Sequence, residues 1–287
     1  MVVGIVGLGL MGGSFALALK ELKIADIIVG SDHNESHIKT AIDRKIIDSA
    51  VSFSELCTMA DVIILAIPVG AIVKVLKTLP TIKENALIID LGGTKQDIIH
   101  AISPKLRHHL VASHPMAGTE YSGPNAAFSS LYFDKVMVVC NEEDSGAPQL
   151  SLALDIYEKF QMKIVKMTAK DHDRHAAFIS HMPHVISYAL ANSVLNQEDK
   201  DSILTLAAGG FRDMSRLAKS SPTMWKDIFE ANQKSIVSAL ETFEDELAVA
   251  RRHFERKNWE ALGLWMGNAN TLHNLFTADS PCNSLKE

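Results

Sequence analysis

The sequence predicts an α/β fold, a doubly wound and mostly parallel sheet, followed by an all-α domain. Three observations carry this expectation. Short, almost wholly apolar runs alternate with helical stretches through the first half of the chain. The runs stop near Lys166, and only helical periodicity follows. A glycine-rich turn joins the first strand to the first helix. Strands that are apolar at every position are covered on both faces, as in parallel sheets flanked by helices. Their alternation with helices selects the doubly wound arrangement.

The elements follow in order. Val2–Val6 is the first strand, residues 12–21 an Ala- and Leu-rich helix, and residues 26–31 the second strand. Residues 62–67, 86–90, 110–113 and 136–140 continue the series. Residues 171–195 read as one helix, which Pro183 bends because it has no N–H to donate. Residues 202–219 are helical on either side of Gly209-Gly210. Ser221 is an N-cap and Pro222 opens a helix that runs to about Lys257. Its apolar residues Trp225, Ile228, Phe229, Ile236, Leu240, Phe243, Leu247 and Phe254 recur every three or four positions. Such a helix spans roughly 50 Å, more than one small domain buries. A second copy is therefore expected to cover part of it, making the all-α region a dimerisation domain. Asn258 caps a last helix, residues 259–275, and the tail is expected to fray. The division is residues 1–166, 167–276 and a tail at 277–287.

Composition excludes several classes. Lys and Arg total 28 against 34 Asp and Glu, a net charge of −6, which argues against a general nucleic-acid binder. No apolar run reaches membrane-spanning length. The N-terminal apolar run carries the glycine motif and has no basic leader, unlike a signal peptide. Cys57, Cys140 and Cys282 are isolated and lack CxxC spacing. Reduced thiols in a cytoplasmic protein are expected.

Gly7-Leu8-Gly9-Leu10-Met11-Gly12 follows a strand and opens a helix, the Rossmann-type dinucleotide signature. The first glycine permits the tight turn, the second lets the backbone approach a pyrophosphate, and the third allows close helix–strand packing. The helix N-terminus offers N–H groups to phosphate. Asp32 lies at the end of the second strand, where a carboxylate accepts from ribose hydroxyls and repels a 2′-phosphate. No arginine follows it, so NAD is expected over NADP. Ile67 and Pro68, at the end of a later strand, are also assigned to the cofactor.

His114 follows the strand at 110–113 and leads into Pro115-Met116-Ala117-Gly118-Thr119-Glu120. Parallel sheets bind ligands at this end, and histidine is the usual base near neutral pH. Beside a nicotinamide ring, His114 is a candidate base for an oxidation that releases a proton. A histidine that merely caps the loop is the alternative that spacing leaves open.

Five stretches in order make the reading more specific: VGIVGLGLMGGS, DLGGTK, SHPMAGTEYSG, HDRHAAFISHMPH and GGFRDMSRLAKSSPTMW. Together they resemble the prephenate dehydrogenase family of tyrosine biosynthesis. The resemblance implies NAD-dependent oxidative decarboxylation of prephenate to 4-hydroxyphenylpyruvate. It implies that His114 is the general base and that Arg216 grips a substrate carboxylate. It puts Arg212 in an ionic network with Asp213, Asp173 and Arg216 near a subunit boundary. Glu120 falls at the cleft mouth and Trp225 near the same interface. His184 faces the substrate side chain and contacts bound tyrosine, the expected feedback inhibitor.

At Gly93 the chain departs from the many relatives that carry a serine whose hydroxyl orients the histidine. Thr94 and a water are the two candidates to replace it. A metal at His172, His175, His181 and His184 lacks HExxH or cysteine support, and hydride transfer needs none; no metal is expected. The rival readings are arogenate dehydrogenase, a β-hydroxyacid dehydrogenase and a non-catalytic NAD-binding regulator.

Overall fold

The computed structural model describes residues 1–275; the expected tail at 277–287 and Cys282 lie outside them. β1 (Val2–Val6) leads through the glycine turn into α1 (Leu10–Glu21). β2 (Ile27–Ser31), α2 (Glu35–Asp43), the two-residue β3 (Ser49–Ala50) and α3 (Phe53–Met59) follow. Then come β4 (Val62–Leu65), α4 (Val69–Lys77), β5 (Leu87–Asp90), α5 (Gln96–Ala101) and β6 (Leu110–Pro115). β7 (Val136–Cys140), α6 (Ala147–Lys159) and β8 (Lys163–Met167) complete one sheet, in the order β3-β2-β1-β4-β5-β6-β7-β8.

Every pair from β3 to β6 is parallel. β7 runs antiparallel to β6, and β8 parallel to β7. The sheet is thus doubly wound and mostly parallel, with its last two strands reversed. Val62, Ile63, Ile64 and Leu65 are each 0% exposed, because helices cover both faces of the sheet. On one face Phe15 meets Tyr132 and Phe160 edge-on, with ring centroids 5.4 and 5.0 Å away. On the other, Leu56, Ile63, Ile72, Ile88 and Ile98 form a second apolar layer. β3 and β8 were not foreseen. β3 is too short to read, and β8 carries Lys163 and Lys166 on exposed positions, as edge strands do.

Beyond β8 the chain is helical. α7 (Ala169–Ala176), a π-helical turn (Ala177–His181) and α8 (Met182–Leu195) follow without a gap. The single bent helix expected here is corrected to these three pieces. Pro183 lies in the first turn of α8, and the widened turn before it takes up the register change. α9 (Lys200–Thr205), α10 (Gly209–Ser215) and a 3-10 turn (Arg216–Lys219) come next. α11 (Pro222–Ala231) is capped by Ser221, and α12 (Gln233–Glu255) follows. The expected continuous helix to Lys257 is therefore two helices. It breaks at Asn232, a weak helix former, whose buried side-chain amide donates to Asp173 O (2.7 Å) and His181 Nδ1 (3.1 Å). α13 (Trp259–Asn270) is capped by Asn258, as expected, and a 3-10 turn (Thr271–Leu275) ends it. The chain divides into two compact units, Met1–Gln233 and Lys234–Glu287.

Candidate active site

The glycine turn has the shape that a dinucleotide needs. Gly7 adopts φ +94, and a Cβ there would lie 2.4 Å from Ala66 O. A Cβ on Gly12 would lie 2.0 Å from Gly7 O, so only glycine lets α1 pack this closely. A Cβ on Gly9 would meet nothing within 4 Å; the turn is open on that side. Gly9 is the N-cap of α1 and no side chain caps it, which leaves the first-turn N–H groups of the Leu10-Met11-Gly12 segment for an anion. Asp32 stands at the end of β2. Its two carboxylate oxygens accept from Leu8 N (2.7 Å) and Asn34 N (2.9 Å). Further lone pairs remain for ribose hydroxyls. Ile67 lies against Gly7, and exposed Pro68 is the N-cap of α4. These residues fit NAD.

The chain also fills neighbouring helix starts from within. Asn34 caps α2, and Ser52 forms a capping box with Glu55 on α3. Gly70 N in α4 donates to both oxygens of Asp227, each at 3.1 Å. Lys95 N (2.8 Å) and Gln96 N (3.0 Å), at the start of α5, donate to Asp173. The sequence reading missed the roles of Asp227 and Asp173.

His114 lies within β6, near its carboxyl end and opposite Val138 of β7. Its strand is fixed from β5: buried Asp90 accepts from Ser113 N (3.2 Å), and buried Lys95 donates to Ser113 O (2.6 Å) and to Asp90. The His114 Nδ1 lies 2.8 Å from His172 Nε2, and His172 Nδ1 lies 2.8 Å from Asp173 Oδ1. Burial, with the charges of His172, Lys95 and His181, holds the His114 pKa well below the ordinary 6.5. His172 is also lowered, by burial, although its bond to Asp173 opposes this. Burial raises the Asp173 carboxyl, but hydrogen bonds from His172, Gln96 and Lys95 outweigh it and leave the group below its ordinary value. The side chain against His114 is thus His172. Thr94, offered for this place, is buried, and its hydroxyl has no hydrogen-bond partner.

A second group lies alongside. The His184 ring stacks on Trp225 at 3.5 Å, and Trp225 is 6.1 Å from His181. Trp225 is buried and its indole N–H has no partner. His184 Nδ1 is 2.9 Å from Ser180 O. Burial and the Arg216 charge lower its pKa against that bond. Arg216 opens the 3-10 turn, which α8 pins through Ser187 Oγ to Ala218 N (3.0 Å) and Tyr188 OH to Ser220 O (2.9 Å). Arg212 and Arg216 are exposed, and Glu120 is exposed in the loop after β6. The expected network of Asp173 with both arginines belongs to a subunit boundary, which one chain does not contain. Asp173 is turned inward to α5 and His172, and among the described residues neither arginine meets an acidic partner within one chain. Nor do the described residues include a cluster suited to a metal. The Asp173, His172 and Lys95 contacts cross between elements, so helical spacing could not reveal them. The adjacent His172-Asp173 pair at the start of a helix was the available signal.

The buried histidines of the site should make the fold acid-sensitive. Burial drives His181 down to about 4, reinforced by His172 and opposed by Asp173. Its unfolded value is about 6.5. Between these values the unfolded chain binds a proton that the native protein does not. Stability present above about pH 6.5 is therefore lost as pH falls toward 4. His181 alone contributes about 3 kcal/mol of this loss, and His109, His114, His172 and His184 shift in the same direction. Tm should fall steadily across this window in scanning calorimetry, with a shallower fall in His181→Gln. A flat Tm would refute the assignment.

The family model for the prephenate dehydrogenase nucleotide-binding domain matches residues 15–166, and that for the prephenate dehydrogenase dimerization domain matches residues 168–268. The chain is 34% identical to a prephenate dehydrogenase of Lactococcus lactis over 254 residues, covering 85% of this chain and 70% of that one. It is 32% identical to the cyclohexadienyl dehydrogenase of Zymomonas mobilis over 247 residues, 84% of each. A crystal structure of prephenate dehydrogenase from A. aeolicus, in complex with hydroxyphenyl propionate and NAD+, superposes with a TM-score of 0.89 at 29% identity. That match covers 95% of this chain and 97% of the other. The chain is an NAD-dependent dehydrogenase and belongs to the prephenate dehydrogenase family.

Proposed function

We propose that the protein oxidises prephenate with NAD+ to 4-hydroxyphenylpyruvate and carbon dioxide. The observation that carries this reading is His114, part-exposed at the carboxyl edge of a parallel strand and backed by a histidine–carboxylate pair. Bound at the glycine turn, NAD+ supplies the hydride acceptor. His114 takes the proton of the ring hydroxyl, as general-base chemistry requires. Arg216 holds a substrate carboxylate in bidentate fashion, with Arg212, Glu120 and Trp225 completing the site and Thr94 buried behind it.

Arogenate is the second reading, and His184 favours it. The Ser180 carbonyl can only accept, so His184 Nδ1 carries the proton and Nε2 of the neutral ring is an acceptor. An ammonium group suits that acceptor better than a keto oxygen does. The same logic makes tyrosine a competing inhibitor. Steady-state assays with prephenate and arogenate, each with NAD+ and NADP+, test both readings. Prephenate with NAD+ should turn over, and tyrosine titrated at fixed prephenate should raise its apparent KM. Absence of turnover with prephenate would reject the proposal.

A homodimer belongs to this reading. Most of the exposed large apolar side chains lie in the helical part of the chain. They include Ile179, Leu206, Met214, Leu247, Phe254, Trp259 and Leu264. α12 alone spans about 35 Å, and an obligate interface of more than about 2,000 Å² would cover such a surface. Light scattering should give the mass of two chains; a stable monomer at micromolar concentration would count against it. No described helix is long and apolar enough to cross a membrane, in keeping with a cytoplasmic enzyme acting on a small molecule.

A further inference from the structure

We infer that His172 and Asp173 are positioning residues that fix which nitrogen of His114 carries its proton. The inference rests on His114 being the base, and it follows from donor and acceptor accounting along three side chains. Asp173 is 1% exposed. Its Oδ1 accepts from Lys95 N, and its Oδ2 accepts from Gln96 N and Gln96 Nε2. Surrounded by donors, it is a carboxylate and has no proton to give. His172 Nδ1 therefore donates to it.

His172 is neutral near pH 7, so its Nε2 holds a lone pair. The 2.8 Å contact with His114 then requires a proton on His114 Nδ1. That leaves His114 Nε2 as the basic atom. Isolated neutral imidazole prefers the opposite tautomer, with the proton on Nε2, which could not accept one from a substrate. A base held by a second group that is itself held by a carboxylate is a familiar way to set a tautomer. Here two imidazoles lie in series, and the pair is anchored on Lys95 N and Gln96 N, directly after the Gly93 position that offers no hydroxyl. The Asn232 amide, bonded to Asp173 O, fixes the backbone of the pair.

The groups facing the pair agree with this assignment. Lys95 is a buried cation tied to Asp90 and cannot supply an acceptor. His181 Nδ1 accepts from Asn232 Nδ2, so it is not a competing partner through that atom.

The test needs no substrate, so it stands apart from which dienol the enzyme oxidises. In protein labelled with ¹⁵N at histidine, His114 is assigned by difference from His114→Asn. Neutral His114 should show a protonated Nδ1 and an unprotonated Nε2. A protonated Nε2 overturns the inference.

Kinetics give a second arm. His172→Leu should lower kcat by roughly 10- to 100-fold, the range for a group that orients a working imidazole, with NAD+ affinity unchanged. His172→Gln, which offers a carbonyl acceptor to Nδ1–H, should recover most of that loss. Wild-type kcat in the leucine variant, or no recovery in the glutamine variant, would overturn the positioning role. If the leucine variant fails to fold, the spectrum of the unaltered enzyme decides.

Discussion

Replacing His114 with asparagine should lower kcat by about 10²- to 10⁴-fold, the contribution expected of a positioned general base. NAD+ binding should stay near that of the parent. The split is expected because the two functions sit on different elements. The residues that fit the cofactor lie at the β1–α1 turn and at Asp32, after β2. His114 is held by β5 through Lys95 and Asp90, and by α7 through His172. Asparagine leaves the Ser113 peptide bonds to Asp90 and Lys95 in place, and an unchanged melting temperature should show that the fold is kept. Rapid-quench or steady-state turnover, with NAD+ binding followed by fluorescence, makes the comparison. Near-normal kcat in this variant would remove His114 from the chemistry.

Arg216→Ala should raise the KM for prephenate strongly and leave that for NAD+ almost unaffected. Losing a charged, hydrogen-bonded partner costs about 2–5 kcal/mol, which is about 30-fold or more in affinity. Arg216 is well placed for this. Its backbone turn is pinned by Ser187 and Tyr188 of α8, its side chain is exposed, and its charge reaches His184. Arg216→Lys should fall between the two, because it keeps the charge but loses the planar fork. An unchanged prephenate KM in the alanine variant would contradict the assignment.

The sequence made most of the sheet legible, because a buried parallel strand such as Val62-Ile63-Ile64-Leu65 is apolar throughout. The edge strand β8 was hidden by its two lysines. Gly7, Gly12 and Asp32 were readable because each answers a local backbone or charge requirement. The break at Asn232 was not: the three- and four-residue spacing of apolar side chains runs across it, and its cause is a pair of hydrogen bonds to Asp173 and His181, more than fifty positions away. His172 was visible in the sequence as one histidine among several. Its place against His114 depends on α7 packing beside β6, which no short-range pattern encodes.

The caps at the helix starts have a consequence for how the enzyme sorts anions. Five helices, α1 to α5, begin after the parallel strands β1 to β5, and each start would attract a phosphate or carboxylate. Four are answered by the protein's own oxygen atoms, from Asn34, Ser52, Asp227 and Asp173. Two of those four also carry a full negative charge that turns a second anion away. Of these five, only α1 begins with a bare glycine. Among these five starts, a pyrophosphate therefore has one open address, at the glycine turn. On the proposed reading the substrate's carboxylates fall to the arginines, and Asp227 and Asp173 should repel either anion from the starts of α4 and α5.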